Sequence, residues 1–135
     1  MSGLTESTPL LGRASLVRPQ MFWRAGAILV TLGMVAGAFG SHGLRKKSGI
    51  TPDQIQAWGT ASNYTVFNGL GLMLVSMHPR FATHRFAGPA IAIGSVVFSG
   101  TIFALVLARD RFKWLGPVTP LGGSFMMAGF LSLAF

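Results

Sequence analysis

Apolar stretches alternate with short clusters of Lys and Arg along most of this 135-residue chain. A bilayer core about 30 Å thick requires about 20 helical residues to cross it, and four of the stretches reach that length once their polar flanks are included. The pattern predicts an all-α membrane protein, a compact antiparallel bundle of four transmembrane helices. The predicted helices cover residues 21–44, 52–78, 86–108 and 115–135.

Local signals mark where these helices begin. Thr51 precedes a Pro and an Asp, and Gln54 follows three residues after it, which is the pattern of a capping box. Thr119-Pro120 is similar and predicts a second capped start. Trp58, one turn into the second helix, is expected to anchor that helix in the headgroup layer.

The connections between the predicted helices are short. Short loops make consecutive helices antiparallel neighbours and leave no room for a soluble domain. Residues 1–20 are polar and contain Ser, Thr, Gly and Pro, too few apolar groups to fold alone. We therefore expect a flexible N-terminal tail at 1–20 and one transmembrane domain at 21–135.

Composition and charge agree with a membrane protein. Half of the residues are hydrophobic, 10% are charged, and the mean hydropathy is +0.55. The net charge of +8 is divided among the loops, as expected of cations among lipid headgroups, whereas nucleic-acid binding needs a basic soluble face. The cations are nearly balanced between the two sides, so they predict no orientation. Expected partners are the lipid bilayer and other integral membrane subunits, with neither nucleic acid nor a soluble substrate.

Eighteen glycines in such a chain require a physical reason. Helices in lipid associate through close backbone approach at small residues. Gly33 and Gly37 form a GxxxG pair with Gly40 nearby, and Gly94 and Gly100 are expected to act similarly in the third helix. These glycines form either a dimerisation face or packing contacts inside the bundle, and we favour packing inside the bundle.

Polar residues at membrane depth are the candidates for function. In hydrocarbon such groups usually face the bundle and bond to other helices, although they can also line a substrate path. None of them is an Asp, Glu, Lys or Arg, which argues against a proton pump or a charge-coupled transporter. The candidates are Ser41, His42, Asn63, Tyr64, Asn68, Ser99 and Thr101.

His42 is a candidate metal or haem ligand, because a His at the end of a membrane helix can be an axial ligand. The other histidines, His78 and His84, fall on the opposite side, so one chain offers no second ligand. We predict instead that His42 bonds near Asn63, Tyr64 or Thr119, with no cofactor and no metal. No catalytic triad, carboxylate pair or phosphate loop is present, so we expect no enzymatic activity.

Four motifs follow one another along the chain, and their residues include Gly40, Ser41, His42, Trp58, Tyr64, Ser99, Gly100, Thr119, Pro120, Gly122 and Gly123. They resemble the motifs of the domain of unknown function 423 family, which includes small bacterial inner-membrane proteins and the eukaryotic transmembrane protein 256. The resemblance covers about residues 25–135 and implies four helices, a membrane location and no known enzymatic activity. Where that family tends to place a His on the second helix, this chain has Asn68. If the His pair of the family has a metal or proton role, we expect this protein to lack that role.

Two functions are consistent with these features. The first is an accessory or structural subunit that packs against a larger membrane complex, such as a mitochondrial respiratory complex. The second is a small channel or transporter. Its path would be lined by Ser41, His42, Asn63, Tyr64 and Asn68.

The N-terminal residues permit two destinations. Their arginines with a single acid suit mitochondrial import, and the resemblance to eukaryotic family members also points to the mitochondrial inner membrane. Residues 6–11, with Glu6 and the pair Leu10-Leu11, match an acidic dileucine sorting signal for vacuolar or endosomal membranes. We predict the mitochondrial inner membrane and keep the vacuolar or endosomal membrane as the alternative.

Overall fold

The computed structural model describes residues 10–135, with side chains from Pro19 onward. The sorting signal proposed at residues 6–11 therefore lies outside the described side chains. Within the described residues the chain is helical and has no strand. The helices are α1 Leu10–His42, α2 Pro52–Met77, α3 Ala87–Leu107, α4 Arg109–Phe112 and α5 Val118–Leu131, with short 3-10 turns at Leu44–Lys46, Lys113–Leu115 and Ser132–Ala134.

The start of α2 has the predicted capping box. The Thr51 hydroxyl accepts a bond from the backbone N–H of Gln54 at 3.2 Å, and the Gln54 side chain accepts one from the N–H of Thr51 at 2.8 Å. Both bonds satisfy donors that a helix start leaves unpaired. At the other end, His78 is extended, as the following Pro79 requires.

The last helix begins differently from the prediction. Thr119 was expected to cap it, but α5 starts at Val118, and Pro117 precedes it in a helical conformation without a side-chain cap bond. Thr119 thus lies in the first turn, where its hydroxyl pairs with that of Thr101 at 2.6 Å. The helix starts two residues before Pro120 because Pro117 already has the backbone angles of a helix, with φ −68°.

Two described helices are long and apolar enough to cross a membrane, namely Pro19–Lys46 with mean hydropathy 1.6 and Ala87–Leu107 with 2.3. A third span results if Arg109–Leu115 and Val118–Ala134, which meet at 51°, act together. The 14 residues of α5 alone are about 21 Å long, less than a bilayer core. The all-α class is confirmed for the described residues, with two or three such spans where four were predicted.

The helices pack in chain order. α1 packs along α2, α2 along α3, and α3 along α5, while α1 and α5 do not pack extensively against each other. The arrangement is thus a row of antiparallel neighbours, with α2 and α3 at its centre. One face of α1 consequently has no other described helix against it.

Two apolar clusters stabilise the packing of the helices, one near each end of α2. Leu44, Trp58 and Val106 form one cluster, near the start of α2. The other, near its end, consists of Leu72, Val75 and Ile91. The polar and small residues that distinguish the sequence lie between and around these clusters.

Candidate functional site

Glycines bring α1 and α2 into close backbone contact. A Cβ atom built on Gly69 would lie 2.6 Å from the carbonyl oxygen of Gly26, closer than real Cβ contacts. A Cβ on Gly33 would lie 2.6 Å from Val66 and 2.9 Å from the carbonyl oxygen of Ser62. Because any larger residue would separate the backbones, these glycines determine how closely the helices pack.

The other glycines of α1 differ in how tightly they are held. A Cβ on Gly37 would meet only the Cβ of Ser62, at an ordinary 3.8 Å. A Cβ on Gly40 would lie 2.5 Å from the Trp58 ring. Gly33 and Gly37 therefore both lie beside α2 of the same chain, and only Gly33 is at a close approach.

A second glycine contact joins α3 and α5. A Cβ on Gly94 would lie 2.8 Å from the carbonyl oxygen of Gly122, and one on Gly123 would lie 3.2 Å from Phe98. Gly100 was expected to pack in the same way, and this is wrong. It is exposed and has nothing within 4 Å of its Cβ position, because it lies on the side of α3 turned away from the other helices.

Buried hydroxyls connect the central helices. The Ser99 hydroxyl on α3 donates to the carbonyl oxygen of Ala61 on α2 at 3.0 Å, and Thr65 donates to the same oxygen at 2.7 Å. Ser95 lies one turn from Ser99, is fully buried, and has a hydroxyl oxygen without a hydrogen-bond partner in the described residues. Ser99 therefore links two helices, whereas Ser95 carries an uncompensated cost of burial.

Asn68 extends this polar region to α5. Its side chain is 2% exposed, and its amide nitrogen lies 2.6 Å from the sulfur of Met126. An amide beside a thioether is a weak polar pair rather than a metal site. The described residues include no group of three or more His, Cys, Asp or Glu that could hold a metal ion.

The remaining polar candidates lie outside this buried region. Ser41, His42, Asn63 and Tyr64 are all exposed. Tyr64 packs edge-on against Phe98, with ring centroids 5.7 Å apart. Of the five residues expected to line one path, only Asn68 is buried.

The expected partner of His42 is also wrong. No hydrogen bond of its side chain is found among residues 19–135, and Thr119 pairs with Thr101 instead. The physical reason is rotation along α1. Gly40 is buried beside Trp58, whereas His42, two residues later, is exposed.

Trp58 has a role that its sequence position did not indicate. It was expected to anchor α2 at the headgroups, yet it is 5% exposed and donates its indole N–H to the carbonyl oxygen of Ala36 at 2.7 Å. Its ring packs against Phe39 and Phe103, with centroids 5.5 and 4.5 Å away. An aromatic near a predicted helix start suits both environments, so hydropathy alone could not separate them.

Sequence reasoning also missed a cleft of about 750 Å³ near the start of α2, the end of α3 and the α4–α5 turn. We call it the interfacial cleft, because helix ends of a membrane protein lie near the headgroups. Its lining includes Asp53, Ala57, Leu105, Arg109, Lys113 and Pro120. A smaller cleft of about 90 Å³ lies beside Ser41, Gly40 and Trp58. Of these two clefts, the interfacial cleft is the larger and is therefore the candidate binding site.

The chain is similar to proteins of one family of membrane proteins. The family model described as "Protein of unknown function (DUF423)" matches residues 36–123. A UPF0382 membrane protein of Schizosaccharomyces pombe is 39% identical over 114 residues, which cover 82% of this chain and 96% of that protein. A UPF0382 membrane protein of Staphylococcus haemolyticus is 34% identical over 116 residues, covering 84% of this chain and 92% of that protein.

The similarity extends to other bacteria. A UPF0382 membrane protein of Bacillus subtilis is 35% identical over 109 residues, which cover 77% of this chain and 85% of that protein. No solved structure gives a significant match. The motif resemblance seen in the sequence is confirmed, and the chain belongs to the DUF423 family of membrane proteins.

Proposed function

We propose that this protein is a non-enzymatic accessory subunit that packs against a larger integral membrane protein through the outer face of α1. The observation that carries the proposal is the one-sided packing of α1. Its glycines meet α2, while Ile28, Leu32, Met34 and Val35 are 56–62% exposed. This terminal position in the row leaves an apolar helix face available to a partner helix.

The roles of the buried polar groups support a structural protein. Ser99, Thr65 and the Thr101–Thr119 pair are engaged in hydrogen bonds within or between helices. Groups used in this way hold the row of helices together. The channel alternative requires its five lining residues to share a cavity. Of the five, only Ser41 lines either of the two clefts described above.

Photocrosslinking in the native membrane tests the proposal. A photoreactive amino acid at Leu32 or Val35 should capture one and the same membrane protein, which should also co-purify with the unmodified chain. A matched probe at Leu121 of α5, 68% exposed, should capture lipid alone. Lipid capture from all three positions would show that the outer face of α1 is simply a lipid-facing surface.

We further propose the mitochondrial inner membrane as its location. The support is the sequence of the N-terminal residues, in which Arg13 and Arg18 outnumber the single acid Glu6. The double substitution Leu10→Ala/Leu11→Ala should leave a tagged protein in mitochondria. Movement from the vacuole to the cell surface would instead establish the dileucine signal and the alternative location.

A further inference from the structure

The interfacial cleft combines a charged rim with an apolar interior. Arg109 and Lys113 come from the α4 turn, and Asp53 comes from the first turn of α2. All three side chains are exposed. Two cations and one acid leave the rim with a net charge of +1, which favours a ligand with one net negative charge.

The interior of the cleft is lined by apolar side chains, which suit a hydrocarbon chain. Ala57 of α2, Leu105 of α3 and Pro120 of α5 line it, and Ile102 extends the apolar wall one turn deeper along α3. At a volume of about 750 Å³, the cleft has the size of ordinary small-molecule sites. Its opening lies at the helix ends, which is the depth of the lipid phosphates in the headgroup layer.

The loops around the cleft are positively charged, as its rim is. The loops on this side of the protein carry further exposed cations, which attract anionic lipid surfaces. They are Arg45, Lys46, Lys47 and Arg111. Because these residues do not line the cleft, they also serve as matched controls.

We propose that the interfacial cleft binds one anionic phospholipid. The phosphate lies between Arg109 and Lys113, since guanidinium and ammonium groups are the usual phosphate partners in proteins. The Asp53 carboxylate accepts a hydrogen bond from a hydroxyl or ammonium group of the same headgroup. The first part of an acyl chain follows Leu105 and Ile102 between α2 and α5. This site is independent of the partner face proposed on α1.

Native mass spectrometry of the full chain in a neutral detergent tests the site. The protein is titrated with dioleoyl phosphatidylglycerol, with dioleoyl phosphatidylcholine, and with water-soluble glycerol phosphate. We expect a single phosphatidylglycerol adduct at concentrations at which phosphatidylcholine binds little and glycerol phosphate does not bind. Equal binding of the two lipids would overturn the charge argument. Binding of glycerol phosphate as strong as that of phosphatidylglycerol would identify a free phosphate compound as the ligand and overturn the lipid proposal.

Matched variants locate the adduct. Arg109→Gln/Lys113→Gln should weaken phosphatidylglycerol binding roughly 30-fold, because each cation near a headgroup contributes about a fivefold preference. Lys46→Gln/Arg111→Gln removes the same charge from the same side and should retain the adduct. Equal loss in both double variants would show general surface attraction and would overturn the site.

A third variant tests the apolar interior without changing charge. Leu105→Trp fills the cleft beside Ile102, and we expect it to reduce lipid binding while the protein keeps its helical circular dichroism signal. Unchanged binding in this folded variant would place the acyl chain elsewhere and overturn the proposal.

Discussion

The indole N–H of Trp58 lies 2.7 Å from the carbonyl oxygen of Ala36 and joins α2 to α1 by a side-chain hydrogen bond. The bond is possible because Gly40, one turn after Ala36, leaves room for the ring. Phe39 and Phe103 hold the ring from α1 and α3. This single aromatic residue therefore connects α1, α2 and α3 near the start of α2.

Trp58→Phe should lower stability by about 0.6–2 kcal/mol, because it removes this hydrogen bond and retains an aromatic ring. Thermal unfolding followed by circular dichroism in detergent measures the change. Trp114→Phe is the control, because Trp114 is 68% exposed. This variant should unfold at the same temperature as the unmodified protein. Equal effects of both substitutions would show that the Ala36 bond contributes nothing.

Gly40→Ala should destabilise the protein by about 1–3 kcal/mol, because the added methyl would meet the Trp58 ring at 2.5 Å. Gly100→Ala adds the same methyl to a helix where nothing lies within 4 Å. It should leave stability unchanged or raise it by up to about 1 kcal/mol, since Ala favours a helix over Gly. A comparison of the two melting temperatures checks both, and a larger loss at Gly100 would contradict the packing described.

Ser99→Ala and Ser95→Ala should differ in sign although both remove one buried hydroxyl. Ser99 bonds to Ala61 across two helices, so its loss should cost roughly 0.6 kcal/mol. The Ser95 hydroxyl has no partner among the described residues, so its removal should range from neutral to a gain of about 1 kcal/mol. Chemical unfolding of the two variants separates them. A marked loss with Ser95→Ala would reveal an unrecognised hydrogen bond.

His42→Ala should leave both the melting temperature and the visible absorption spectrum unchanged, because the side chain is exposed and bonds to no described residue. The measurement requires protein purified from its own membrane, so that any native haem is retained. A Soret band that disappears on this substitution would make His42 a haem ligand and refute its assignment as an exposed, unbound side chain.

The sequence by itself determined the helical class, the capped start of α2 and the family. Hydropathy, capping patterns and motif order are local properties, which the chain retains in any packing. The same local reasoning predicted that Trp58 contacts headgroups and that Gly100 packs against a helix, but Trp58 is buried between helices and Gly100 has nothing within 4 Å of its Cβ position. Whether such residues face a helix or the surroundings depends on how each helix is rotated about its axis.

Only the tertiary structure decided those rotations and the contacts between distant residues. Gly26 and Gly69 are far apart in the chain, and their approach follows from how α1 crosses α2. The interfacial cleft likewise depends on three chain segments meeting around Leu105. Small residues permit close approach in lipid at many positions, so their spacing alone does not choose which of them meet.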